Sequence, residues 1–502
     1  MIRAYGAAAV RAAEEPLLAA GVPLMRHAAR ALALATVREI RARGQRVPGS
    51  AVLALVGGGN NGGDALWAVA DLARRGLAAH AALCAPAVHA EGLAAARAAG
   101  VRLVRVVPED GGPPDLAALL AAARRSGAWI DGLAGIGLRG PLREPLAAIV
   151  TALDDERRSA PDEPVVIAVD VPSGVADSGA VAGAVLPAHL TVTMGAPKPA
   201  LLLPPACGAA GRVEVVDLGL PLDPARVAVR RLGPADVADL FPWPRREDHK
   251  YTRGVAGIWA GSDAYRGAAV LACAGALAAG PGMVRYLGPV ASVRDHLPEV
   301  VTAPGRLQSA LVGSGIAGRE AAESALRAAA GHGVPLVVDA GALEALRDVT
   351  GPTIITPHAG ELAALLGVPR AGVEGDPATA ALDHAAARGV SVLLKGPVTV
   401  VAAPDGTLYS QDGGTPWLAS AGSGDVLAGI LTTLLALRQA RAEEDGGSLG
   451  AGDLAAAGAA AAWLHARAGE RAARASGPWA GGPLTAREVA AAVPAVLAAL
   501  PR

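Results

Sequence analysis

Short continuous apolar runs alternate with Ala/Leu/Arg segments whose apolar positions recur at helical spacing throughout the first half of the chain. The runs are "AVLALVG" (51–57), "AALCAP" (81–86), "RLVRVV" (102–107), "AWIDGL" (128–133), "VVIAVDV" (165–171), "LTVTMG" (190–195) and "RVEVVDL" (212–218). They are unbroken rather than alternating, which predicts strands covered on both faces, hence a parallel sheet between layers of helices. Such sheets bind ligands beyond the carboxyl ends of their strands. A Pro- and Arg-rich stretch, 221–246, interrupts the pattern. It resumes with "GVAGIWAGS" (254–262), "MVRYLG" (283–288), "ALVGSG" (310–315), "LVVDAG" (336–341), "TIITPH" (353–358), "SVLLKG" (391–396) and "VTVVAAP" (398–404). The expected fold class is α/β in two domains, 1–228 and 229–502, with the boundary good to about ten residues. The halves share no motif, so the chain reads as a fusion rather than a duplication.

Composition narrows the classes. A net charge of −1 over 502 residues supplies no field for nucleic acid or an acidic membrane surface. Alanine raises the hydrophobic share to 52% while aromatics stay at 3%, the profile of a soluble globular protein. The alanine-dominated run Leu454 to Leu464 falls short of the roughly 18 residues a spanning helix needs and reads as a buried helix. The N-terminus, with Arg3, Arg11, Glu14 and Glu15, lacks a signal-peptide layout. Cys84, Cys207 and Cys273 are odd in number and far apart, which fits a reducing cytoplasm. Arginine has nearly displaced lysine, so Lys198, Lys250 and Lys395 mark places where a compact ammonium is wanted.

The chemistry of the first half starts at "VGGGNNGGDALWAV" (56–69), which holds the only asparagines of the chain, Asn60 and Asn61. Glycines lead a strand directly into a helix there, and backbone N–H groups at a helix start attract an anion such as a pyrophosphate. The turn is neither G-x-G-x-x-G nor a Walker loop. The loops "DGLAGIGLRGPL" (131–142) and "AVDVPSG" (168–174) also follow strands and reach the same sheet edge. Asp131, Asp170, Ser173 and the Asn61 amide offer hard oxygens at that edge. Lys198, after another strand, is available to neutralise dinucleotide phosphates.

These motifs, with "GAPKPALLLP" and "GRVEVVDLGLP", resemble the NAD(P)H-hydrate epimerase domain of the bifunctional NAD(P)H-hydrate repair enzymes over about residues 1 to 220. The resemblance implies a Rossmann-like three-layer sandwich. It implies that Asn60, Asn61, Gly62, Gly63 and Asp64 contact the hydrated cofactor, together with Gly135, Ile136, Gly137, Leu138, Arg139, Gly140, Pro141 and the catalytic Asp170. It also implies a potassium ion on Asn61, Asp131 and Ser173. Ile136 stands where the family commonly has threonine, which removes one hydroxyl.

In the second half, "SAGSGDVLAGILTTLLAL" (420–437) runs glycines into an apolar helix and puts Asp425 in its first turn. Its N–H groups favour an anion, and a carboxylate beside a bound phosphate is placed to take a proton from an attacking hydroxyl. "LLKGPVTVVAAPDG" (393–406) sets Lys395 at a strand end, where its ammonium can meet phosphate oxygens. "ITPHAGEL" (355–362) holds His358 in a Pro-restricted turn, and "HKYTRGVAGIWAGSDAYRGAAVLACAGAL" (249–277) adds a further strand-loop-helix element.

Together these resemble the ADP- or ATP-dependent (S)-NAD(P)H-hydrate dehydratase domain of the same enzymes over about residues 235–500, which implies a ribokinase-like three-layer sandwich. By that resemblance Ala268, Gly315, His358 and the catalytic Asp425 contact the hydrate. Lys395, Gly396, Pro397, Val398, Thr399 and Gly424 take ADP or ATP, with Mg²⁺ accompanying the nucleotide. Ser314 and Ala359 both replace prolines common in the family. The implied activity is repair of hydrated NADH and NADPH by a cytoplasmic enzyme with a homo-oligomer as the expected assembly, and with neither nucleic acid nor membrane as partner. The alternative is a ribokinase-like vitamin-precursor kinase carrying a non-catalytic N-terminal domain. A third reading makes the first half a scaffold of the kind found in RNA-processing proteins.

Overall fold

The residues described by the computed structural model are 1–135, 137, 140–347, 351–475 and 481–502. They divide into two units, Arg3–Val229 and Arg230–Arg502, the latter joined by Met1–Ile2. The short N-terminal piece was not anticipated. Its Met1 amino group lies 2.6 Å from an Asp236 carboxylate oxygen.

In the N-terminal unit all seven predicted strands form. Their order across the sheet is Arg102–Arg105, Ala78–Leu83, Ala51–Val56, Ala128–Gly132, Val165–Val169, Leu190–Met194 and Arg212–Val216. Every pairing is parallel. The chain enters in the middle, runs out to one edge, then returns beside Ala51–Val56 and builds the other side. That reversal makes a switch point between Ala51–Val56 and Ala128–Gly132, the place where α/β sheets hold ligands. Alternation within the strands explains the two helical layers. Val52, Ala54 and Val56 pack with Leu32 and Leu66 from helices Leu24–Ala42 and Asn60–Arg74. Leu53 and Leu55 pack on the other face with Leu119 and Ile149 from helices Leu116–Ala123 and Leu146–Ser159. Period-2 geometry thus gives a three-layer sandwich from one unbroken apolar run.

The sheet of the C-terminal unit has the order Ile2–Tyr5, Val227–Arg231, Leu408–Asp412, Val398–Ala402, Ser391–Leu394, Thr353–Ile355, Leu336–Val338, Ser309–Val312, Val255–Trp259, Met283–Tyr286. Pairing is parallel from Met283–Tyr286 to Ser391–Leu394 and turns antiparallel through Val398–Ala402 and Leu408–Asp412. Helix Ser423–Glu444 is apolar around most of its circumference and lies buried against helix Arg266–Ala278. Gly429 permits the close crossing, since a Cβ there would stand 2.1 Å from the Ala272 carbonyl oxygen. The Leu454–Leu464 run lies in helix Ala451–Ala475, with Leu454 and Leu464 in the core. Among the described residues no single helix is long and apolar enough to cross a membrane.

Candidate active sites

In the N-terminal unit the switch point opens into a cavity of about 490 Å³, lined among others by Asn60, Asn61, Asp64, Gly135, Gly137 and Asp170. Gly62 and Gly63 lie beneath it in the buried first turns of helix Asn60–Arg74. A Cβ on Gly62 would come within 2.2 Å of the Gly57 carbonyl oxygen, so that glycine lets the helix start close to the strand end. Gly140 and Pro141 are exposed and outside the lining described, while Ile136, Leu138 and Arg139 lie outside the described residues.

Asp131 bonds to Ser173, and Asn61, at the cavity wall, joins them through the Ala134 carbonyl that it shares with the Ser173 hydroxyl. The Asn61 amide nitrogen donates to the Val169 carbonyl at 2.7 Å and the Ala134 carbonyl at 3.4 Å. Asp131 is fully buried and accepts from the Ser173 hydroxyl at 2.6 Å, the Ser173 N–H at 2.8 Å and the Leu133 N–H at 3.2 Å. Burial pushes its carboxyl up to about 6, against the lowering effect of those hydrogen bonds. None of these partners is a cation. A buried carboxylate grouped with neutral oxygens suits a large monovalent ion better than Mg²⁺, which demands compact octahedral ligation.

Asp170 ends strand Val165–Val169 with φ +69°, a left-handed conformation shared among the described non-glycine residues only by Ala340. Aspartate tolerates that region better than most residues, and the loop holds it there at some cost. Its Oδ1 accepts from the Thr193 hydroxyl at 3.0 Å, the Met194 N–H at 3.1 Å and the Lys198 ammonium. Lys198 is 1% exposed and also donates to the Met194 carbonyl at 2.7 Å. This corrects the expectation that Lys198 serves phosphates. Its ammonium is committed to Asp170, because a buried cation needs a paired anion. Two further carboxyls share the cavity. Asp64 is held well above the usual carboxylate range by burial and by the charges of Asp170 and Glu14. Glu14, from helix Ala7–Ala19, is raised by burial, with Lys198 pulling the other way.

In the C-terminal unit, Gly422 with φ +89° caps the helix that carries Ser423, Gly424 and Asp425 in its first turn. A Cβ on Gly424 would lie 3.6 Å from the Lys395 Nζ. Lys395 donates to Asp339 Oδ1 at 2.8 Å and lies 4.0 Å from Glu361. Burial opposes its charge, but Asp339, Glu361 and Asp425 outweigh that and hold its pKa above the ordinary ammonium value. Asp339 also accepts from the hydroxyls of Ser314 at 2.9 Å and Thr356 at 2.8 Å. Asp425 is pushed up to about 6 by burial and by the nearby Asp339 charge, while a hydrogen bond from Ser314 and the charge of Lys395 act against the rise. Where proline is common, Ser314 therefore adds a hydroxyl to the carboxylate pair.

Gly315 and Ala268 adjoin this group, since a Cβ on Gly315 would meet the Ala268 methyl at 2.6 Å. His358 caps helix Ala359–Leu366 through its Nδ1, which accepts from the Glu361 N–H at 3.1 Å. The Lys395 N–H donates to the Pro357 carbonyl at 2.8 Å, which fixes His358 beside the lysine. Ala359 occupies the first helical position, where proline is a convenience rather than a requirement. Gly396 and Pro397 turn the chain into strand Val398–Ala402, which carries Val398 and the buried Thr399. Ser423 Oγ sits 3.0 Å from His465 Nε2, a ring that burial pushes down to about 4 and so keeps neutral.

Two family models match the chain: the YjeF-related protein N-terminus over residues 22–200 and NAD(P)H-hydrate dehydratase over residues 256–489. A bifunctional NAD(P)H-hydrate repair enzyme of Mycobacterium tuberculosis is 44% identical over 451 residues, covering 86% of this chain and 89% of that protein. The chain belongs to the bifunctional NAD(P)H-hydrate repair enzymes. An NAD(P)H-hydrate epimerase of Clavibacter michiganensis is 46% identical over 234 residues, covering 45% of this repair enzyme and 94% of that protein. A Bacillus subtilis ADP/ATP-dependent NAD(P)H-hydrate dehydratase, co-crystallised with ATP/Mg²⁺, is 27% identical and covers 54% of this chain and 99% of that one, with TM-score 0.48.

Sequence reasoning missed Asp339, Thr356 and Glu361 in the second site of this repair enzyme and Glu14 in the first. Asp339 carried a usable signal, "VVDAG" at a strand end, and the left-handed Ala340 follows it. Glu14 carried none, because it reaches the cavity from a helix before the sheet begins.

Proposed function

We propose that the N-terminal unit interconverts the R and S epimers of hydrated NADH and NADPH at C6. The C-terminal unit dehydrates the S epimer in an ADP- or ATP-dependent reaction with Mg²⁺ accompanying the nucleotide, in the cytoplasm. The observation that carries this reading is the presence in one chain of two sheets, one parallel and one mixed, each with its own site of buried charge, Asp170 with Lys198 and Asp425 with Lys395.

Hydroxide is a poor leaving group, so the second site first makes a better one. Asp425 takes the proton of the C6 hydroxyl, whose oxygen attacks the terminal phosphorus as the bond to the nucleotide breaks. Lys395 and the N–H groups at the start of helix Ser423–Glu444 stabilise the charge that moves. The ring nitrogen then expels phosphate, and loss of a C5 proton restores the double bond. With the S hydrate and either nucleotide, dihydronicotinamide absorbance is expected to recover with matching release of inorganic phosphate. A phosphorylated organic product without that recovery overturns the reading in favour of a small-molecule kinase.

Asn61, Asp131 and Ser173 would hold a potassium ion, whose charge would balance buried Asp131 and steady the loops that bind the hydrate. Exchanging potassium for lithium is expected to slow epimerisation and to lower the melting temperature of the N-terminal unit. A site filled at 100 times its Kd contributes about 2.7 kcal/mol of stability. Unchanged rate and melting temperature in lithium remove the assignment.

A further inference from the structure

Three carboxyls, Glu14, Asp64 and Asp170, line the cavity of the N-terminal unit. Asp64 is 8% exposed, lines the cavity, and has an Oδ1 without a hydrogen-bond partner. A buried carboxylate oxygen that receives no donor is poorly placed to carry charge, so the geometry favours a carboxyl that keeps its proton at the cavity wall. Asp170 lines the same cavity with its Oδ1 engaged, since Thr193, Met194 and Lys198 all donate to that one oxygen. One carboxyl is thus paired with a buried ammonium, and the other is a buried carboxyl with an orphaned oxygen.

We propose that Asp64 and Asp170 form an acid-base couple that epimerises the hydrate by removing its C6 hydroxyl as water and adding a second water to the opposite face. The inference rests on the epimerase reading of this unit. Asp64 supplies the proton. The C6–O bond breaks, its electron pair stays on oxygen, and water departs while the lone pair of N1 forms a C6–N1 double bond. A second water attacks C6 from the other face and gives its proton to Asp170, and N1 recovers its pair. The net change is inversion at C6 plus one proton moved from Asp64 to Asp170, which returns through solvent. No oxidant, reductant or phosphoryl donor is needed.

The electrostatics agree with these roles. Burial and the neighbouring charges of Asp170 and Glu14 favour the protonated form of Asp64, against the pull of Lys198. The other titratable groups around the couple are Arg11, also from helix Ala7–Ala19, and Asp177 in the loop beyond Ser173. A carboxyl held in its protonated form across a cavity from one that is ion-paired with a lysine has the make-up of an acid-base pair. The competing route breaks C6–N1, opens the ring to an aldehyde and recloses it, which retains the original oxygen.

The test runs epimerisation of the pure R hydrate in ¹⁸O-labelled water without nucleotide, using the full-length enzyme and an enzyme-free control. The proposal expects one labelled oxygen in each S molecule from the first turnover. Inversion without label overturns it in favour of ring opening, with the epimerase reading intact. No inversion at all by the wild-type enzyme sinks the epimerase reading itself. Asp64→Asn keeps the size of the side chain but has no proton to give. Its epimerisation kcat is expected to fall about 10²–10⁴-fold with a much smaller change in KM. Near-normal kcat in that variant overturns the role of Asp64, and the labelling of the wild-type enzyme stands as a test even if the variant fails to fold.

Discussion

Replacing Asp425 by Asn is expected to lower the dehydration rate about 10²–10⁴-fold while nucleotide affinity changes little, because an amide keeps the size and helix-start position of the group but takes no proton. Lys395→Ala is expected to do the reverse, weakening nucleotide binding first, since its ammonium sits beside Gly424 in the first turn of helix Ser423–Glu444. The pH dependence follows from the same site. Asp425 is useful only as carboxylate, and burial beside Asp339 pushes it up to about 6, with Ser314 and Lys395 opposing. Dehydration is therefore expected to be flat above that value and to decline as pH falls through it. A variant that keeps normal turnover and only binds nucleotide worse makes Asp425 an organiser of the phosphate turn, and another base must then be found.

Asp170→Asn is expected to abolish epimerisation while dehydration of the S hydrate continues. It also strands the Lys198 ammonium, 1% exposed, without its anion. Breaking a buried ion pair from one side typically costs about 3–5 kcal/mol, so the N-terminal unit should melt markedly earlier. The double variant Asp170→Asn with Lys198→Met removes both charges and is expected to regain much of that stability with no return of epimerisation. Recovery of activity in the double variant would make Asp170 a purely structural anchor. A loss of dehydration equal to that of epimerisation would mean that the two activities do not divide at the Val229–Arg230 boundary.

The layered architecture was readable because burial on both faces leaves an unbroken apolar signature, as in "AVLALVG" and "VVIAVDV". Strand Leu408–Asp412 escaped because it forms one arm of the antiparallel hairpin with Val398–Ala402, where its half-polar "LYSQD" shows neither an unbroken nor an alternating pattern. Ile2–Tyr5 and Val227–Arg231 escaped because they lie at the sheet edge, far in sequence from the strands they accompany. At the sites, motif residues on loops after strands could be named, since topology alone brings strand ends together. What could not be read was pairing. Lys198 looked available for phosphate, yet the close packing that buries it makes Asp170 its necessary partner. The strand-end position of Asp339 was visible, but its role was not, since that lies in receiving Lys395, Ser314 and Thr356 from three separate segments.

The division of labour between the units is tested most directly by the amplitude of one progress curve. A mixture of R and S hydrates is given excess nucleotide, and recovery of dihydronicotinamide absorbance is followed to its end with the wild-type enzyme and with Asp170→Asn. The account predicts that the wild-type enzyme converts both epimers completely, whereas the variant stops at the S fraction apart from slow uncatalysed epimerisation. A wild-type curve that halts at the S fraction, or a variant curve that runs on to completion at the wild-type rate, would contradict it.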